Sequence, residues 1–149
     1  MPEREVTEYL CVRINGEAVA VPTDKVQEVY ETSLYTPLPG GPACILGLIN
    51  VRGNILPVLD LWEIAEKEPG RLTVVILNTQ EGMVGLLISA LIDLHTFELC
   101  AKNEHPSPSF GTWASFFPTR TETDEAYQIM DVEKLIEATL PQQIRQVDL

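Results

Sequence analysis

Few side chains in this 149-residue chain are equipped to attack, ligate or relay a proton. There are three cysteines, Cys11, Cys44 and Cys100, and two histidines, His95 and His105. No two cysteines stand at CxxC spacing. An odd number without that motif suits small buried hydrophobes in a reducing compartment better than disulfides. Cys100, His95 and His105 are near enough in sequence to be recruited to one ion. Their spacing is not that of a known zinc module, so no metal is expected. Covalent catalysis needs a nucleophile beside a base, and no serine or cysteine sits in a recognisable elbow. Glycine-rich phosphate loops of either common type are absent. Carboxylates are abundant, but none stands in an apolar setting that would raise its pKa for acid catalysis. An uncharacterised enzyme remains an alternative reading. No catalytic residue and no cofactor are expected.

The remaining chemistry is recognition of charge, and Arg52 is the residue placed for it. It lies in Gly47 to Leu61, GLINVRGNILPVLDL. Leu48, Ile49 and Val51 form one apolar run; Ile55, Leu56, Val58 and Leu59 form another. Apolar residues at consecutive positions predict strands covered on both faces. Between the runs, Gly53 and Asn54 tolerate the positive φ that a two- or three-residue hairpin loop demands. Arg52 is then a solvated turn residue, an internal partner of Asp60, or a rigid fork for the carboxylates of another protein. Local sequence leaves these open. Pro57 cannot donate to a ladder, which predicts a sheet edge or a bulge. Asp60 is expected to close its strand and cap a helix, with Glu63 completing a capping-box variant.

The elements around this hairpin follow from periodicity. Tyr9 to Ile14 and Glu17 to Val21 alternate as half-buried strands across Asn15-Gly16, a strong hairpin signal. Thr23 can cap a helix from about Asp24 to Tyr30, in which Val26, Val29 and Tyr30 share a face. Glu28 would point elsewhere, supported by Lys25. Thr32 to Pro42 is a connector rich in proline and glycine, leading to a short helical turn at Ala43 to Leu46. Leu61 to Ala65 reads as a short helix, and Glu66 to Arg71 as a charged loop. Leu72 to Asn78 and Met83 to Leu91 read as a strand pair, with Gly85 at a bulge or close backbone approach. Ile92 to Glu98 is a further strand, with His95 on its outer face. Cys100 to Ser115 reads as a long loop, tied down by Phe110, Trp113, Phe116 and Phe117. There Trp113 either covers the core or anchors a contact. Ala114 to Arg120 and Ala126 to Met130 are short strands. Asp131 caps a last helix to about Ala138, with Val132, Leu135 and Ile136 on one face. Pro141 to Leu149 is a polar tail. Short strands at regular spacing indicate an all-β barrel or sandwich with short helices.

The length fits one domain, 1–149, burying roughly 70% of its unfolded surface. A formal net charge of −12 argues against nucleic acid or an anionic membrane surface as partner. There is no apolar run of about 20 residues to insert in a membrane. The N-terminus lacks the pattern of a secretory signal, so a cytoplasmic location is expected.

Gly47-Leu48-Ile49-Asn50-Val51-Arg52-Gly53, followed by Leu56-Pro57-Val58-Leu59-Asp60-Leu61, resembles the signature of CheW-type coupling proteins of bacterial chemotaxis, with Val51 where that family usually has leucine. Val26-Gln27-Glu28-Val29 is similar to the family's first helix. Thr73 to Leu77 and Gly82 to Ile88 are similar to its central strand pair. Order and spacing agree from about Glu8 to Phe97. The resemblance implies two five-stranded SH3-like β-barrels sharing a core, plus a C-terminal helix. It implies a non-enzymatic adaptor, binding the regulatory domain of a CheA-type histidine kinase through one barrel. The cytoplasmic tip of a methyl-accepting chemoreceptor would lie in an apolar groove near the junction. Self-association in arrays at the inner membrane belongs to the same expectation. The alternative within this fold is a scaffold module of a type IV pilus pathway. Of the residues, Arg52 would be the polar orienting contact and Glu28 its neighbour. Asn50 and Gly53 would fix the hairpin. Val26 and Val29 would line the groove or belong to the core. Pro57 and Asp60 would be structural.

Overall fold

The computed structural model describes residues 7–67, 70–97 and 100–140. The expected tail at Pro141 to Leu149 lies outside the described residues, as does the end of the strand expected to reach Glu98. The chain opens with β1 (Glu8–Ile14) and β2 (Glu17–Pro22), a 3-10 turn at Thr23–Lys25, β3 (Val26–Thr32) and β4 (Thr36–Pro37). Then come β5 (Ile45–Val51), β6 (Asn54–Leu59), α1 (Ile64–Lys67), β7 (Leu72–Thr79), β8 (Gly82–Ile88) and β9 (Ala90–Thr96). After β10 (Cys100–Lys102), a 3-10 segment spans Pro108–Phe116, followed by β11 (Thr119–Thr121), β12 (Gln128–Ile129) and α2 (Val132–Thr139).

The strands form two six-stranded sheets, β10-β11-β12-β2-β1-β9 and β3-β7-β8-β6-β5-β4. Both must curl. Six strands at about 4.8 Å spacing put the edges of a flat sheet about 24 Å apart. In the second sheet the edge strands β3 and β4 are joined from Thr32 to Thr36, a reach of about 14 Å at most. In the first, β9 ends at Thr96 and β10 begins at Cys100, with the same reach. The chain therefore closes each sheet toward a barrel. The sixth strand in each comes from a segment expected to be a connector: β4 from the proline-rich stretch, and β10 from the long loop.

One apolar cluster joins the two sheets. Leu10, Val12, Ile14, Val19 and Val21 of the first meet Ile49, Val58, Val74, Leu77 and Leu86 of the second. Phe110 and Phe117, fully buried, and Leu135 and Ile136 of α2 complete it. Gly85 lies where a Cβ would stand 2.6 Å from Val74 Cγ1 and 3.2 Å from Val58 Cγ2. This is the close approach that its sequence position suggested. Asp131 caps α2 by accepting from the Lys134 N–H at 3.2 Å.

Several expectations need correction. The helix from Asp24 to Tyr30 is a single 3-10 turn followed by β3. Strand β3 is held by antiparallel pairing with β7, and its register slips between Val26 and Glu28. The slip places Val26 opposite Leu77 and Val29 opposite Val75, alternate residues of one face of β7. An i, i+3 apolar spacing therefore arises from a bulged strand. Lys25 pairs with Glu133 at 3.1 Å, not with Glu28. Ala43 to Leu46 gives a turn and the start of β5 rather than a helical turn. The strand expected from Ala114 to Arg120 is 3-10 structure up to Phe116 and β11 only from Thr119. Pro57 is not on an edge strand, since β6 lies between β5 and β8. The β6–β8 ladder covers only Val58 and Leu59, so Pro57 sits just outside it and needs no donor on that side.

Candidate functional site

Strands β5 and β6 pair from Ile45↔Leu59 to Val51↔Asn54, leaving Arg52 and Gly53 as a two-residue loop. Arg52 has φ +51 and Gly53 φ +89, the left-handed pair that matches the twist of hairpin strands. Positive φ was expected at Gly53 and Asn54; instead Asn54 is the first residue of β6 and Arg52 takes the strained position. The Asn50 side chain accepts from the Gly53 N–H at 2.8 Å. That bond and the two flanking strands hold the loop in one geometry.

Arg52 Nη2 donates to Glu28 Oε2 in an ion pair. The pair crosses the seam at which the second sheet closes, because Glu28 is on the edge strand β3 and β3 is hydrogen-bonded to β7, not to β5 or β6. The arginine side chain is 65% exposed and the glutamate 27%. The hydrogen bond and charge of Glu28, in that order, raise the Arg52 pKa further above its ordinary value, so the tip is a fixed cation. An ion pair this open contributes little net stability. What it does is orient: Glu28 engages one nitrogen of a five-donor fork, and the rest of the guanidinium faces solvent.

The other candidate residues separate into two groups. Val26 is half-buried and packs on the core, whereas Val29 is 37% exposed. Asp60 is buried, and its two carboxylate oxygens accept from Ile64 N–H at 2.8 Å and Ala65 N–H at 3.1 Å. It caps α1 alone, without the capping box expected from Glu63. Pro57 is half-buried in β6. Neither Asp60 nor Pro57 offers an open polar group.

Strand β9 was read as ordinary, yet all seven of its residues are exposed. It is an edge strand paired with β1 through a register slip, with Leu94 opposite Leu10 and Leu91 opposite Val12. Leu10 and Val12 belong to the shared core. Their cross-strand neighbours Leu91 and Leu94, 51% and 53% exposed, carry that apolar face out into solvent. The run Leu91-Ile92-Asp93-Leu94 was the available signal; its exposure depends on a pairing partner some eighty residues earlier in the chain.

Burial pushes the Cys11 thiol up to about 11, and burial also raises Cys44 and Cys100, which keeps all three protonated near neutral pH. Among the described residues, no three His, Cys, Asp or Glu side chains converge on a point that could hold a metal ion. No helix among them is long and apolar enough to cross a membrane. Trp113 ties the second barrel to the first, donating its indole N–H to the Leu61 carbonyl at 3.0 Å.

Comparison with known proteins gives the family and the fold. The profile of the CheW-like domain matches residues 8–140. Protein FrzA of Myxococcus xanthus is 39% identical over 69 residues, covering 46% of this chain and 43% of that protein. This chain thus spans less than half the length of that relative. The chemotaxis protein CheW of Rhizobium meliloti strain 1021 is 28% identical over 109 residues, or 70% of this chain and 69% of the relative. The crystal structure of the scaffolding protein TtCheW from Thermoanaerobacter tengcongensis superposes with a TM-score of 0.71 at 19% identity, over 89% of this chain and 93% of that one. At that identity the likeness shows the fold, a pair of SH3-like barrels.

Proposed function

We propose, from the premise that this chain belongs to the CheW-like domain family, that it is a non-catalytic coupling adaptor of a chemotaxis-type signalling system. Its partners are the regulatory domain of a CheA-type histidine kinase and the cytoplasmic tip of a methyl-accepting chemoreceptor, and it works in the cytoplasm at receptor arrays. The observation that carries this reading is the hairpin tip. Arg52 is held at a fixed, strained position, oriented by Glu28, and still presents most of its donors to solvent. Such a fork recognises a carboxylate or carbonyl of a partner with defined geometry. The exposed apolar face of β9 supplies the second element of the reading, a surface for the apolar side of a helix. Binding both partners lets the adaptor transmit a coupling free energy of about 1–3 kcal/mol without chemistry.

The test is Arg52→Glu. The far-ultraviolet circular dichroism and the thermal midpoint should stay within a few degrees of wild type, while capture of the kinase regulatory domain or of the receptor fragment is lost. Loss of the fold would make the arginine structural, and undiminished capture would remove it from the interface. A match to protein PilI of Pseudomonas aeruginosa, 28% identical over 100 residues, supports a second reading: a scaffold of another motility pathway, such as one driving type IV pili. The same residues would then serve a different receptor and kinase.

A further inference from the structure

The two tryptophans of the chain line one depression at the barrel junction, beyond the far end of β6 from Arg52. Six residues of strand separate the hairpin tip from this place, about 20 Å. Trp62, after β6, donates its indole N–H to the Ser109 carbonyl at 2.6 Å; Trp113, in the 3-10 segment of the other barrel, donates to the Leu61 carbonyl at 3.0 Å. Each ring is thus pinned by the backbone of the opposite barrel. Trp62 is further wedged edge-on against Phe110, with centroids 5.5 Å apart. Together with Ala43, Cys44, Leu61 and Glu63 the two rings line an open depression of about 230 Å³. Their N–H donors are spent on those carbonyls, so neither indole offers the depression a donor.

Glu63 sits in this lining with φ +54. Its backbone is one that glycine would adopt without strain, yet the chain holds a carboxylate there. The side chain is exposed and forms no ion pair with a cation among the described residues. Aromatic surface beside an unpaired carboxylate is the combination that binds an organic cation, through the ring quadrupole and through charge. The net charge of −12 adds to the attraction.

We propose that this depression is a receptor site for one arginine side chain of a partner protein, distinct from the contact at Arg52. The planar guanidinium stacks on indole and reaches Glu63 with its N–H groups; a neutral isostere of the same shape has no such charge. Because both tryptophans line the site, their fluorescence reports occupancy directly. The experiment titrates the full chain with the peptide acetyl-Gly-Arg-Gly-amide and, in parallel, with its citrulline counterpart. The arginine peptide should give a saturable change in emission that weakens with added salt, and citrulline should give none. Glu63→Gln should weaken the arginine peptide about fivefold with an unchanged thermal midpoint. Absence of a saturable change with arginine, an equal response to citrulline, or unaltered affinity in Glu63→Gln would each overturn the proposal. The assay contains neither kinase nor receptor, so its outcome is independent of the adaptor reading.

Discussion

Arg52 and Glu28 pose the question of whether an ion pair holds a fold or aims a side chain. Exposure favours aiming, because an open pair gains little net stability. A charge swap separates the two roles. Arg52→Glu alone sets two carboxylates side by side; adding Glu28→Arg restores an ion pair of reversed sense. If the arginine is read by a partner, the double variant recovers the wild-type thermal midpoint but not partner binding, as measured by isothermal calorimetry. Recovery of both would mean the pair only positions the hairpin. A second residue-scale consequence concerns Cys11, which has no exposed surface and a thiol pKa of about 11 against an ordinary value of 9.0. Its raised pKa favours the neutral thiol in the folded state. The associated stability is therefore complete below pH 9 and is lost as pH rises toward 11. Urea denaturation at pH 8 and pH 10 should show about 1 kcal/mol more loss in wild type than in Cys11→Ala. Equal losses would place the alkaline transition elsewhere, on the tyrosines. At this scale the sequence was legible where a residue type has one use. The hairpin could be read from Arg52-Gly53-Asn54 between apolar runs. Which of the three takes positive φ could not, because asparagine tolerates it better than arginine and only the Val51↔Asn54 register decides.

At the scale of elements, the misread segment is β3. Val26, Val29 and Tyr30 have helical spacing, and nothing local distinguishes that from a strand with an extra residue. The decision comes from β7, which lies at least forty residues away and pairs from Val26 to Thr32. The barrel seam was hidden for the same reason. Strand β4 is two residues of a proline-rich connector, and it forms because Gly47 lets it approach. A Cβ on Gly47 would stand 2.2 Å from the Thr36 carbonyl oxygen, and backbone atoms cannot yield as a side chain can. Gly47→Ala should therefore detach β4 and cost about 2–3 kcal/mol, read as a lower urea midpoint. Amide exchange should increase from Thr36 to Leu48 while β7 and β8 stay protected. Uniform loss of protection would show that the strap and the sheet open as one unit.

For the whole molecule, the two barrels share one apolar core, and the surface keeps a cation on a stiff hairpin and an apolar edge strand that the core does not use. Composition argued against partners that want positive charge on the protein, and the motif suggested an adaptor. The exposed face of β9 was not legible, since its residues look like core and become surface only through pairing with β1. In the proposed role this chain joins two proteins that do not otherwise associate. That role is tested by sedimenting receptor-tip fragments on vesicles with a purified CheA-type kinase, with and without the chain. Kinase should pellet with the vesicles only when wild-type chain is present, and Arg52→Glu should leave it in the supernatant. Kinase that pellets equally without the chain, or stays in solution with it, would contradict the account.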